Sequence, residues 1–187
     1  NYTNNCMDKK SNKYIIMLDR IQCDTINFDE CTFKENGGIC ILQEDDNTHN
    51  VNIKKCLFTR NVGLPGCAIY ASTSDKVHIM TVEDCTFSYN KVTSESSDIS
   101  GEGTNSGFIV GAVVARSNSI DFRGTNTFDH NEVYSDNTEY EFVMAHGGSL
   151  AIIQNYDELE EYKVSNLVFT DSYSQHYAGA IVILTAD

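Results

Sequence analysis

The sequence predicts an all-β fold, a parallel β-helix in which short strands wind up one coil, and three observations predict it. The first is a stretch that repeats: Cys31-Thr32-Phe33-Lys34-Glu35-Asn36 returns as Cys56-Leu57-Phe58-Thr59-Arg60-Asn61 and as Cys85-Thr86-Phe87-Ser88-Tyr89-Asn90. A fourth copy keeps Phe128-Asp129-His130-Asn131, and a fifth keeps Phe169 but has Ser172 where Asn is expected. The second is a glycine with small and apolar followers after each copy: Gly38-Ile39, Gly66-Cys67-Ala68-Ile69, Gly111-Ala112-Val113, Gly148-Ser149-Leu150 and Gly179-Ala180-Ile181. The third is an apolar alternation before each Phe: Ile26/Phe28, Val51/Ile53, Met80/Val82, Ile120/Phe122 and Tyr162/Val164. Alternation at period two is the strand signal.

The spacing decides how these pieces are connected. Successive Phe positions (33, 58, 87, 128, 169) lie 25, 29, 41 and 41 residues apart, too irregular for a simple period. Cut at glycine, the irregularity moves to one place. From Gly38, Gly66 and Gly148 to the next Phe is 20, 21 and 21 residues, while the third copy gives 21 from Gly107 or 17 from Gly111. The Phe-to-Gly gap instead runs 5, 8, 24 (or 20), 20 and 10. A constant return path with one corner that accepts insertions describes one turn of a coil. Each unit holds three strand segments and is too short to bury its own apolar face, so units must stack. Phe122 lies six residues before Phe128 where the other units have five, as a bulge near Gly124 allows.

The four F-x-x-N tetrapeptides, Phe33 to Asn36, Phe58 to Asn61, Phe87 to Asn90 and Phe128 to Asn131, alternate with the glycine pieces above. In this the chain resembles the polymorphic outer membrane protein repeats, over roughly residues 20 to 187. The resemblance implies a right-handed β-helix on a secreted or cell-surface protein, with an adhesive or structural role and no enzyme activity. Gly38 followed by Ile39-Cys40, Pro65 before Gly66, and Ser172 in place of Asn depart from that pattern.

Composition bounds the rest. One domain over residues 1–187 is expected, of about five to six turns, with residues 1–20 an incomplete first turn and Tyr14-Ile15-Ile16-Met17-Leu18 a strand buried on both faces. The formal net charge of −14 opposes nucleic acid and anionic membranes. No apolar run approaches the ~20 residues that span a bilayer. The first residue is Asn rather than Met, so a processed chain or a piece of something longer is expected.

Seven cysteines exceed cytosolic usage, and the odd number leaves at least one unpaired. Cys31, Cys56 and Cys85 hold the same repeat position and should line up in neighbouring turns. Strand spacing of about 4.8 Å falls within the range of Cα separations a disulfide tolerates, so one bridge among the three or a stack of buried thiols both fit. With no C-x-x-C motif, neither a metal nor another cofactor is expected. The sequon Asn1-Tyr2-Thr3 makes Asn1 a candidate glycosylation site.

Asn36, Asn61, Asn90 and Asn131 are expected to stack as a corner ladder, since Asn tolerates left-handed backbone and bonds neighbouring backbone. Phe33, Phe58, Phe87, Phe128 and Phe169 should stack inside. Glu44-Asp45-Asp46-Asn47 reads as a solvated acidic corner, lacking the spaced ligands of a calcium loop. Insertions at 91–106 and 132–146 are expected as side-by-side surface loops, the first place to seek a host protein, matrix protein or glycan partner. The competing class is a polysaccharide lyase or hydrolase, for which Asp121, Asp129 with His130, and His146 are the groups to test. Only 13 basic residues are spread along the chain, a poor host for a polyanion. The strand near Gly179 to Leu184 has nothing amphipathic after it, so flanking turns or other copies of the chain are the expected partners.

Overall fold

The structure is a computed structural model that describes residues 2–3, 14–18, 25–44, 50–63, 67–72, 80–94, 108–116, 120–135, 144–155, 164–176 and 178–186. Every regular element among them is a strand, and every strand pairing is parallel. Apart from the two-stranded pair Phe108–Val110 and Met144–His146, the strands fall into four columns that the chain visits in the same order in successive repeats. A leading sheet holds Thr25–Asp29, Asn50–Lys54, Met80–Glu83 and Ile120–Arg123. The Phe sheet holds Tyr2–Thr3, Thr32–Lys34, Leu57–Thr59, Thr86–Ser88, Asn126–Asp129 and Leu167–Thr170. A corner sheet follows with Val62–Gly63, Lys91–Ser94, Glu132–Ser135 and Tyr173–Ser174. The glycine sheet closes each repeat with Tyr14–Leu18, Ile39–Glu44, Ile69–Ser72, Val113–Arg116, Leu150–Asn155 and Ile181–Ala186. Parallel partners 25 to 44 residues apart, joined by strands of the other columns, are consistent with a β-helix or solenoid.

The register is strict. Phe33 pairs with Phe58, Phe58 with Phe87, Phe87 with Phe128 and Phe128 with Phe169. In the leading sheet Phe28, Ile53, Val82 and Phe122 share one level and point inward, while Asn27, Asn52, Thr81 and Asp121 alternate to the outside. One continuous apolar cluster runs from Leu18 through all the repeats to Leu150 and Ile152, with Phe169 and Ile181 packed against its far end. Each fully buried Phe or Ile contributes about 1.5–3 kcal/mol, and identical residues at each level let the contribution repeat without a change of shape.

Several expectations need correction. The repeat has four strand segments, because the residues after each Asn form the corner sheet. The insertions therefore start later than expected: Lys91–Ser94 and Glu132–Ser135 are paired strands, Lys91 opposite Glu132 and Ser94 opposite Ser135. Met144–His146 is also a strand, pairing with Phe108–Val110. Residues 95–107 and 136–143 lie outside the described residues. Val113 pairs with both Ile69 and Leu150, which puts Gly111, not Gly107, in the column of Gly148 and Gly179. The return path is then 17 residues in that repeat rather than a constant 20 or 21. In the fifth repeat Val164 is not in a strand, and Tyr162 lies outside the described residues. Tyr14–Leu18 is a strand at the edge of its sheet with Tyr14 and Met17 exposed, so it is not buried on both faces.

Two corners turn through left-handed backbone. Before the Phe strand it falls on Glu30, Lys55, Asp84, Gly124 and Asn166; after it, on Glu35, Arg60, Tyr89, His130 and Asp171. The Asn residues were expected to take this conformation, but the residue before each takes it instead. Such backbone costs an ordinary L-residue about 1–2 kcal/mol. It is held by bonds between repeats: Glu35 N–H donates to Thr59 O, Arg60 to Ser88 O, Tyr89 to Asp129 O and His130 to Thr170 O, at 2.9–3.1 Å. Gly63 is needed for another reason, since a Cβ there would meet the carbonyl carbon and oxygen of Gly38 at 2.8 Å.

Candidate functional site

The residues that define the repeat converge on the interior, where they form three ladders. The Phe rings stack with centroids 4.6, 5.0, 4.8 and 5.0 Å apart from Phe33 to Phe169, and interplanar angles from 0° to 20°. Phe28 and Phe122 close on this stack edge to face, each at 6.3 Å. Strand register imposes the parallel stacking, and burial makes it favourable despite the preference of free rings for offset or edge contacts.

Asn36, Asn61, Asn90 and Asn131 sit beside the rings, fully or almost fully buried. From Asn61 onward each Oδ1 accepts from two donors of the preceding Asn. Asn61 Oδ1 takes the Asn36 backbone N–H at 3.1 Å and its Nδ2 at 3.0 Å, and Asn90 and Asn131 repeat the pattern. The second proton of Nδ2 goes back to the Phe carbonyl of the repeat before: Asn61 to Phe33 O, Asn90 to Phe58 O, Asn131 to Phe87 O. The amide thus closes a corner where the chain leaves one sheet for the next and backbone groups would otherwise be buried unpaired. Ser172 cannot extend this geometry. Ser149 accepts from Asn131 Nδ2 at 3.1 Å and joins Ser172 Oγ at 2.6 Å, so a hydroxyl pair ends the ladder.

The third ladder is at the opposite corner. Cys31, Cys56 and Cys85 are free thiols in register; Cys40 and Cys67 elsewhere are free and buried, and no disulfide occurs among the described residues. Cys6 and Cys23 lie outside them. Cys56 Sγ donates to Phe28 O and Lys54 O at 3.4 and 3.3 Å, and Cys85 Sγ to Ile53 O and Glu83 O at the same distances. Cys85 Sγ accepts the Cys56 N–H at 3.4 Å. In the fourth repeat Asn126 takes over the role: Oδ1 accepts the Cys85 N–H at 2.9 Å, and Nδ2 donates to Val82 O and Arg123 O. Sulfur and carboxamide do the same work at this corner. Asn126 was missed in the sequence, although it stands two residues before Phe128 as Cys31 does before Phe33. The hydrogen bond between the Cys56 and Cys85 side chains, then burial, pushes the Cys56 thiol up, and hydrogen bonds from Cys56 hold Cys85 down. Burial raises Cys40 well above its ordinary value and pushes Cys67 up to about 12. Raised in this way, Cys40, Cys56 and Cys67 are held protonated and are poor nucleophiles.

The outer surface carries charge columns. Asp29, Lys54, Glu83 and Arg123 follow one another in register with alternating sign, and Lys54 Nζ meets Glu83 Oε1 at 2.9 Å. They line, with Asn27, Asn52 and Thr81, a shallow groove of about 380 Å³. Of the groups considered for catalysis, Asp121 is paired with Arg123 at 2.7 Å and faces outward on the leading sheet. Asp129 ends a strand of the Phe sheet with His130 on the corner after it, and His146 ends the strand that pairs with Phe108–Val110. Asp121 and Asp129 therefore stand on different sheets. Asn1 lies outside the described residues. No helix among those residues is long and apolar enough to cross a membrane. Comparison with known proteins returns no match: no family model, no curated protein and no solved structure is significantly similar to the chain.

Proposed function

We propose that this chain is a right-handed parallel β-helix of about five to six turns that serves as a non-catalytic structural or adhesive element of a secreted or cell-surface protein. The observation that carries this reading is the destination of the repeat's own residues. Phe, Asn and Cys are all consumed in bonding one repeat to the next, and none is aimed at a cleft. A chain built this way specifies a rod and leaves recognition to what the rod displays. Two displays are available. The strand pairs Lys91–Ser94/Glu132–Ser135 and Phe108–Val110/Met144–His146 bring the ends of segments 95–107 and 136–143 side by side, which favours one contact surface for a host protein, matrix protein or glycan. At the far end, exposed Val168, Tyr173 and Ile183 lie on strands at the edges of their sheets, which favours contact with a flanking turn or a second copy.

The reading is tested by coating beads with the chain, and with a variant in which 95–107 and 136–143 are replaced by short Gly-Ser linkers. Both are assayed on arrays of matrix proteins and glycans and against soluble acidic polysaccharides. Retention that disappears in the variant, with no new reducing or unsaturated ends, is the expected result. Chain scission that persists through purification and is lost on substituting Asp129 or Asp121 would establish an enzyme instead.

A further inference from the structure

We propose that His130, through Nε2, and Asp171 bind one divalent transition-metal ion, which clasps the fourth repeat to the fifth, with Asp129 holding the imidazole from its other nitrogen. One side-chain atom from each of Asp129, His130 and Asp171 lies within 4.8 Å of the other two, His130 and Asp171 standing on the corner column of left-handed residues. His130 Nδ1 is 2.8 Å from Asp129 Oδ1, the distance of a charge-assisted hydrogen bond. With the proton on Nδ1, the Nε2 lone pair faces Asp171 Oδ2 at 3.7 Å. That is too long for a hydrogen bond, and in this tautomer there is no proton to share. A carboxylate on one imidazole nitrogen is the usual support for a metal on the other. Two ligands each about 2.0–2.2 Å from a tetrahedral ion stand roughly 3.3–3.6 Å apart, close to the span observed.

The imidazole is also restrained, because Tyr89 stacks on it with centroids 4.8 Å apart and planes 21° from parallel. The same column three repeats earlier neutralises itself, Glu35 with Arg60 at 3.5 Å. Here two carboxylates share one imidazole, and among the described residues neither has a Lys or Arg partner. One imidazole nitrogen with one carboxylate suits zinc, nickel or copper. Calcium wants six to eight oxygens and is not the expected occupant. The remaining positions are open to water.

The test uses the whole 187-residue chain, stripped with a chelator and titrated with Zn2+ at pH 7.5 by calorimetry, with melting followed in parallel. One saturable Zn2+ per chain is expected, raising the melting temperature by linkage and persisting in excess Mg2+. His130→Ala should abolish that binding, Asp171→Asn should weaken it by about tenfold or more, and His176→Ala should leave it intact. The variants should melt like the parent in chelator. Should His130→Ala fail to fold, Asp171→Asn decides alone, since its side chain is exposed. No saturable Zn2+ in the parent, or binding unchanged in Asp171→Asn, overturns the proposal.

Discussion

At the scale of single residues, the fold rests on side chains that replace backbone partners at corners. Asn90 accepts from Asn61 through two donors and gives its own protons to Phe58 O and Asn131 Oδ1. Asn90→Ala strands several of these groups in the interior, and a loss of about 3 kcal/mol or more in denaturant unfolding is expected. The Cys column gives a sharper comparison: Cys85→Asn, which copies Asn126, should be closer to the parent in stability than Cys85→Ala. The thiols also fix a pH response. Cys67 is raised in the folded state to about 12 from a reference of 9.0, so its contribution is fully present below about pH 9 and is lost as pH rises toward 12. Unfolding free energy should therefore fall above pH 9 by about 1.4 kcal/mol per unit for this thiol, and Cys67→Ala should flatten that limb. The Phe and Asn columns were legible in the sequence because one residue type recurs at each level. The function of Asn126 was hidden because the chemistry recurs there while the residue type does not. The left-handed positions were hidden too, since Glu, Lys, Arg and Tyr carry no signal for them and only the bonds between repeats make them affordable.

At the scale of strands, the three segments with apolar alternation or a glycine signature were readable, and the corner sheet was not. Its members run two to four residues, and Lys91–Ser94 has only Val92 buried among its described side chains, so no periodicity marks it. Polar Lys91 to Ser94 thus reads as the start of an insertion until its pairing with Val62–Gly63 and Glu132–Ser135 is seen. The close approach at this corner sets the next prediction. Gly63→Ala places a methyl group against Gly38 backbone, which no rotamer change relieves, and should cost about 1–3 kcal/mol with broadened spectra in both neighbouring repeats.

At the scale of the molecule, each repeat touches only its neighbours, so stability is transmitted along the stack rather than held by one centre. The rings from Phe33 to Phe128 are fully buried, whereas Val168 and Ile183 in the fifth repeat are half exposed or more. Amide hydrogen exchange should accordingly be slowest in Leu57–Thr59 and Thr86–Ser88 and fastest in Leu167–Thr170 and Ile181–Ala186, and a uniform pattern would contradict this gradient. The central claim is that each repeat sits in register on the one before. It is tested most directly by nuclear Overhauser contacts among selectively labelled Phe rings. The stack predicts cross-peaks between Phe33 and Phe58, Phe58 and Phe87, Phe87 and Phe128, and Phe128 and Phe169, and none between rings two repeats apart. Cross-peaks that skip a repeat, or rings without contacts to their neighbours, would contradict it.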